Sequence, residues 1–186
     1  MERGLRRNYN APGHVHELTF SCYRRMPLLE FEPICGWLAQ SINEAKRQLR
    51  FHVWAFVFMP EHVHLLICPQ QPEYDIARIR SAMKSPPARR AINYLQVHQR
   101  EWLPRLERRR GPRVERLFWQ SGAGYDRNIV EPKTLLATIE YIHLNPVRRG
   151  LVTRATDWRW SSAATFVHGA ASPVQLDTIP SWWLDA

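Results

Sequence analysis

Residues 51–69, FHVWAFVFMPEHVHLLICP, hold two apolar runs parted only by Pro60-Glu61. The first run is strongly apolar and reads as a strand, HVHLLICP follows as a second strand, and the two-residue break between them reads as a hairpin. Upstream, residues 32–50 place Ile34, Trp37, Leu38, Ile42 and Ala45 at helical spacing, with Pro33 near the start. Residues 16–25, HELTFSCYRR, alternate and predict a first strand. Downstream, 74–85 reads as a helix, Pro86-Pro87 interrupts it, and 88–103 resumes the helical pattern. Residues 104–124 form a basic connector with glycines near its end, and YDRNIV, 125–130, is a short strand. Residues 131–146 predict a last helix, with Pro132 in its first turn and Pro146 at its end. The tail from Leu151 carries Trp158, Trp160, Trp182 and Trp183 without a clear period.

The element order is therefore β-α-β-β-α-β, followed by a further helix. That order predicts an α+β fold of the ferredoxin-like type: an antiparallel sheet with helices on one face. No internal repeat or low-complexity segment breaks the chain, so residues 1–186 read as one domain, with a core at about 8–150 and a tail at 151–186. The fold alone decides no function.

Composition narrows the classes. With 45% apolar residues among 186, the chain can bury a core. No apolar run approaches the roughly 20 residues of a membrane span. The basic opening MERGLRRNYN is followed by no apolar segment, so no signal peptide is expected. Cys22, Cys35 and Cys68 are odd in number and widely spaced, which predicts reduced thiols and a cytoplasmic setting rather than a disulfide framework or a zinc knuckle. The net charge of +9 and a pI near 10.1 favour a polyanionic partner, nucleic acid first. Of the 26 basic residues, 23 are Arg, which forks phosphate and stacks on bases, although a GC-rich genome biases codons the same way.

The tripeptide His-Val-His occurs twice, at 14–16 and at 62–64. Residues two apart on a strand share a face, so His62 and His64 present two imidazoles side by side with Val63 turned to the core. Such a pair can hold a divalent cation and leave positions open for another ligand, phosphate oxygens and water. His14 and His16 follow Pro12-Gly13 and are expected at the solvent-exposed start of the first strand. Glu61 is expected on the face opposite His62. Tyr141 and Asn145 are four apart on a predicted helix and hence on one face, with Asn145 at the helix end because Pro146 follows. A tyrosine hydroxyl and an amide oxygen suit a nucleophile and a metal ligand. Tyr94, four before His98, and Tyr125, behind the glycines, are open alternatives by spacing.

Taken together, FVFMPEHVHLLI, FWQSGAGYDRNI and TIEYIHLNPVRRGLV resemble the single-tyrosine HUH transposases, most closely the REP-associated tyrosine transposases, over roughly residues 8–165. The resemblance implies a ferredoxin-like core with a C-terminal catalytic helix. It implies that Tyr141 is the nucleophile, and that His62, His64 and Asn145 hold Mg²⁺ or Mn²⁺. Related insertion-sequence enzymes often carry Gln where Asn145 stands, while Asn is usual in the REP-associated branch. The implied activity is that of a single-stranded DNA endonuclease and strand transferase acting on hairpin DNA of a palindromic repeat, through a 5′-phosphotyrosine. The implied partner is single-stranded or hairpin DNA, with a monomer favoured over a dimer and the tail packing on the core or touching DNA.

Arg24, Arg25, Arg108, Arg109, Arg110, Arg113, Arg148 and Arg149 are the expected DNA contacts, each with an alternative as solvated surface. Trp119 and Trp160 are candidates for stacking on unpaired bases, against core packing as the commoner role. His143, about 200° round the helix from Tyr141, is expected to face away. The rival reading is a non-catalytic nucleic-acid-binding module of the same fold, which would display aromatics on its sheet. A histidine-triad nucleotide hydrolase is disfavoured because position 66 is Leu.

Overall fold

The computed structural model describes residues 10–122 and 124–185. All but the last residue of the basic opening stretch lies outside them. A four-stranded antiparallel sheet is formed by β1 (Val15–Ser21), β2 (Phe51–Met59), β3 (His62–Pro69) and a later strand, Tyr125–Ile129. Between β3 and that later strand, residues 107–116 contain a small separate hairpin, β4 (Glu107–Arg110) and β5 (Arg113–Arg116), so Tyr125–Ile129 is β6. The sheet order is β2-β3-β1-β6, the ferredoxin-like arrangement expected from the element order. The hairpin lies within the expected basic connector, and its Arg108 faces Glu115 across the two strands.

The helices do not all lie on one face. Helices α1 (Glu32–Leu49) and α2 (Ile76–His98) cover one side, packing on Leu18, Phe20, Phe56, Phe58, Val63, Leu65 and Ile67. Helix α3 (Pro132–Arg148) and the tail cover the other, packing Leu135, Ile139, Ile142, Ile179 and Trp183 against Val57, Met59 and Leu66. A bulge between Val53 and Ala55 lets the neighbours Trp54 and Ala55 both face α3, which resets the alternation of β2.

The tail also closes the exposed edge of β2. Phe58 N–H donates to the Trp160 carbonyl and Ser162 N–H to the Phe56 carbonyl, while Val53 exchanges hydrogen bonds with Asp177. These groups would otherwise template pairing with another chain. Trp160 lies flat on Phe58 and Trp119 is edge-on to Phe20 and Phe118, so both serve packing. Cys22, Cys35 and Cys68 are free thiols. Among the described residues no helix is long and apolar enough to cross a membrane.

Three element boundaries are corrected as well. The first strand stops at Ser21, and Tyr23–Arg25 forms a 3-10 turn in which Arg24 and Arg25 both have φ of 53°. Left-handed backbone costs an L residue about 1–2 kcal/mol, so this turn is held by outside bonds. Arg24 N–H donates to Gln120 Oε1, and Tyr23 N–H to the Phe118 carbonyl. Helix α2 runs unbroken through Pro86 and Pro87. Pro86 cannot donate to the Ala82 carbonyl, but the Ser41 hydroxyl of α1 donates to it instead at 3.1 Å. Helix α3 likewise continues past Asn145 and Pro146 to Arg148. It ends where Gly150, at φ 68°, donates to the Val147 carbonyl and Leu151 donates to the Pro146 carbonyl.

Ser41 is thus the substitute donor for the carbonyl that Pro86 leaves open inside α2. Ser41→Ala is expected to lower the unfolding free energy by about 1–2 kcal/mol in urea titration; an unchanged midpoint would remove that role.

Candidate active site

The floor of a hollow of about 810 Å³ is one face of the sheet. Antiparallel register sets Thr19 opposite both His64 on β3 and Tyr125 on β6, and Glu17 opposite Arg127. Directly opposed residues share a face, so His64, Thr19 and Tyr125 form one row and Glu17 and Arg127 the next. The wall is α3, whose Thr134, Ala137, Thr138 and Tyr141 fall at helical spacing on one stripe.

His62 and His64 are nearly covered, at 8% and 5% exposure, while Tyr141 stands at the mouth at 41%. The two imidazoles meet with Nε2 atoms 3.1 Å apart. The Tyr141 ring stands edge-on to His64 at 5.4 Å between centroids. The Arg148 guanidinium lies 5.2 Å from the centre of the Tyr141 ring.

The remaining ring nitrogens are held from outside. His62 Nδ1–H donates to Glu61 Oε1 at 3.2 Å, and the same oxygen accepts from Arg149 Nη1 at 2.7 Å. Glu61 therefore does not turn away from His62, as a continuous strand would require. It sits in the β2–β3 turn, whose Pro60 and Glu61 carbonyls accept from Leu29 and Cys22 N–H. Thr19 Oγ1 lies 2.9 Å from His64 Nδ1. If Thr19 accepts, both Nε2 atoms offer lone pairs to a shared cation; if it donates, His64 Nε2–H bonds to His62 Nε2.

Two ligands about 2.1 Å from one ion and 3.1 Å apart subtend about 95°, near the right angle of neighbouring octahedral positions. The pair thus fits a divalent cation. Among the described residues no three of His, Cys, Asp and Glu are grouped to hold one. A third protein ligand would have to be of another kind. Asn145 lies one helical turn beyond Tyr141, outside the lining of the hollow. Its Nδ2 donates to the Tyr141 carbonyl at 3.1 Å, and its Oδ1 makes no hydrogen bond among the described residues.

Burial sets the charge states. It pushes the His64 imidazole down to about 4, with His62 adding to the effect. It lowers His62 too, against the opposing pull of Glu61. For Glu61 burial acts upward, but the Arg149 hydrogen bond and the charges of His62 and Arg149 outweigh it and hold the carboxyl low. Glu17 is raised by burial, and Arg127 only partly offsets this. The histidine pair is therefore neutral at pH 7, the form that binds metal.

The expected DNA-binding arginines separate. Arg25 lines the hollow and Arg148 flanks its tyrosine. Arg149 is committed to Glu61, and Arg108 to Glu115 and Ser121. Arg24 lies over the Tyr23 ring, and Arg109, Arg110 and Arg113 stand exposed on the β4–β5 hairpin. Tyr125 joins the hollow, whereas Tyr94 packs on Phe31, Trp37 and His98. Lys133, Arg127, Glu17 and Thr19 complete it. The signal for Thr134 and Thr138 is the helical period counted back from Tyr141; the signal for Thr19 is only the strand register.

The first His-Val-His is not an exposed strand start. His16 is fully buried, bonded through Nδ1 to Asp126 at 2.8 Å and through Nε2 to the Tyr74 hydroxyl at 2.7 Å. It braces β1, β6 and the start of α2 and takes no part in the hollow. His143 does face away: its Nε2 lies 2.8 Å from Ser162 Oγ in the tail.

Among solved structures, the chain is similar to a REP-associated tyrosine transposase bound to a REP hairpin, with TM-score 0.65 and 20% identity over 95% of this chain and 93% of that one. That likeness shows the fold. A protein from Deinococcus radiodurans R1 described as a candidate transposase matches with TM-score 0.46 and 19% identity over 76% of this chain and 94% of that one, too loosely to add to it. No protein-family model matches the sequence. No curated protein matches it.

The histidines also predict an acid response. His64 and His143 are each lowered by burial to about 4 from 6.5. The unfolded chain then binds more protons than the folded one between those values, so stability falls as pH drops through that window. Glu61 acts in the same sense below the ordinary carboxyl value of 4.5, and Glu17 opposes it. The melting temperature of metal-free protein is expected to decline steadily from pH 6.5 to about 4. A flat profile there would contradict the buried neutral imidazoles.

Proposed function

We propose that the chain is a single-stranded DNA endonuclease and strand transferase, a transposase of the single-tyrosine type. The observation that carries this reading is the meeting of His62 and His64 Nε2 at 3.1 Å beneath an exposed tyrosine in a basic hollow. The hairpin bound by the structural neighbour supports hairpin DNA as the substrate.

In this reading the scissile phosphodiester lies over the histidine pair, and Arg25, Arg127 and Lys133 draw its backbone in. The Tyr141 hydroxyl attacks phosphorus. The Oη–P bond forms as the P–O3′ bond breaks, leaving a 5′-phosphotyrosine and a free 3′-hydroxyl. The phenol proton passes to solvent at the open mouth, and a proton from solvent completes the leaving hydroxyl. One phosphodiester replaces another, so rejoining by a second 3′-hydroxyl needs no nucleotide cofactor. Arg148 holds the ring and places positive charge beside the reacting phosphate.

His62 and His64 would hold Mg²⁺ or Mn²⁺ through Nε2, with Asn145 Oδ1 as the proposed further ligand. A bound ion supplies Lewis acidity to a non-bridging phosphate oxygen. Glu61 fixes the His62 tautomer by taking Nδ1–H; with Thr19 accepting from His64 Nδ1–H, the arrangement a bound ion would select, both Nε2 lone pairs face the ion. A platform that merely binds nucleic acid through sheet aromatics fits less well, because α3 covers the face that bears the histidines.

Incubation with labelled hairpin DNA and Mg²⁺ or Mn²⁺ should give a covalent adduct on a denaturing gel. Tyr141→Phe and EDTA should each abolish it; an adduct that survives either one overturns the mechanism. His64→Ala should abolish cleavage and largely keep hairpin binding. Glu61→Gln should weaken metal dependence about 10–100-fold, the usual loss for a group behind a metal-bound histidine. A Glu61→Gln enzyme with the wild-type metal titration would detach that carboxylate from the site.

A further inference from the structure

We propose that a groove between α2 and residues 116–122 is a second, non-catalytic phosphate site that holds the backbone of single-stranded DNA leaving the tyrosine hollow. Its volume is about 530 Å³. Arg80 and Lys84 line it from α2, Arg116 from the opposite side, and the hydroxyl-bearing Ser81 and Ser85 from the exposed rim.

The charges in this groove are unevenly compensated. Arg116 meets Glu107 at 3.4 Å, and Arg80 faces Asp126 at 3.6 Å. Both buried atoms of that second pair, Arg80 Nη1 and Asp126 Oδ2, lack a hydrogen bond. Lys84 has no ion-pair partner among the described residues, and its ammonium lies 5.2 Å from the Phe20 ring centre and 5.8 Å from that of Trp119. Burial, then Arg80, pushes Lys84 down to about 8, with Cys22 opposing. An unpaired, partly desolvated cation beside a second one is costly, and a phosphate oxygen relieves it. Packing alone does not require this: a neutral side chain would cover Phe20 and Trp119 without the charge penalty.

The groove is continuous with the catalytic hollow. A middle hollow of about 450 Å³ shares Thr19, Arg25 and Tyr125 with the first and Lys84 and Gly122 with the groove. The path therefore rounds the end of β1 and β6, from the α3 face of the sheet to the α2 face. Glycines keep it low at that crossing. At Gly124, with φ of 73°, a Cβ would stand 2.3 Å from the Thr19 carbonyl oxygen, so only glycine fits against β1.

This inference takes from the proposed function only the identity of the strand, so binding is measured apart from chemistry. Full-length Tyr141→Phe protein without metal is titrated with fluorescein-labelled thymidine oligonucleotides of four and of twelve nucleotides. Lys84→Gln, Arg116→Gln and the rim variant Ser81→Glu are each added to that background. Each is expected to weaken the twelve-nucleotide strand about five- to tenfold and leave the four-nucleotide strand unchanged. Removing one phosphate contact should also reduce the salt slope by about 0.7. Ser81→Glu acts from an exposed position, so its effect does not depend on Lys84 tolerating substitution. Unchanged affinity and slope in all three variants, equal losses on both strands, or no binding of either strand would overturn the groove. The adduct assay on the wild-type background separates the two readings. Loss of the adduct with the groove effects intact removes the tyrosine chemistry alone. An adduct with no groove effects removes the groove alone.

Discussion

One carboxylate oxygen links helix α3 to the sheet. Glu61 Oε1 accepts both from Arg149, just past the last turn of α3, and from His62 on β3. The same interaction thus docks α3 and aims an imidazole. Arg149 is half exposed, which screens the pair, so its direct contribution is toward the low end of about 1.5–3 kcal/mol for a charged hydrogen bond. The larger effect is geometric. The turn that carries Glu61 is itself held by two backbone bonds from residues 22 and 29, so the carboxylate has little freedom. A second tie lies farther up the helix, where His143 meets Ser162 and Ser162 in turn bonds both backbone groups of Phe56. Tyr141 lies two residues beyond this second tie, so its backbone is anchored from one side while its hydroxyl makes no hydrogen bond among the described residues.

Much of this fold was legible because its strongest signals are local. The hairpin at 51–69 and helix α1 match their expected spans almost residue for residue, since two apolar runs parted by two residues admit few other structures. The boundaries that differ all involve a distant partner. Pro86-Pro87 reads as a break, yet Ser41, on another helix, supplies the donor that Pro86 lacks. Arg24 and Arg25 read as strand until residues 118–120 hold them in a left-handed turn. Strand periodicity sends Glu61 away from His62, but a turn residue is not bound by that periodicity.

The site was legible to a similar degree. His62, His64 and Tyr141 converge, but Thr19, Glu17 and Arg127 enter the hollow through strand pairing across more than forty residues, which spacing does not encode. The eight expected arginines divide for the same reason. Charge density marks them all equally, yet Arg149 and Arg108 are consumed by carboxylates while Lys133 and Arg127, outside any basic run, reach the hollow.

The two His-Val-His copies show how register, not motif, assigns chemistry. β1 and β3 are neighbours, and His64 pairs with Thr19. His16 is three residues from Thr19, an odd step, so it must face the opposite side of the sheet. There it meets Tyr74 and Asp126 between the sheet and α2, where both ring nitrogens are taken. Only the copy at 62–64 faces α3, and only its ring nitrogens Nε2 are left directed at each other rather than at a protein acceptor. Identical tripeptides on adjacent strands of one sheet thus become a structural brace and a cation-ready pair. What separates them is the parity of a single pairing.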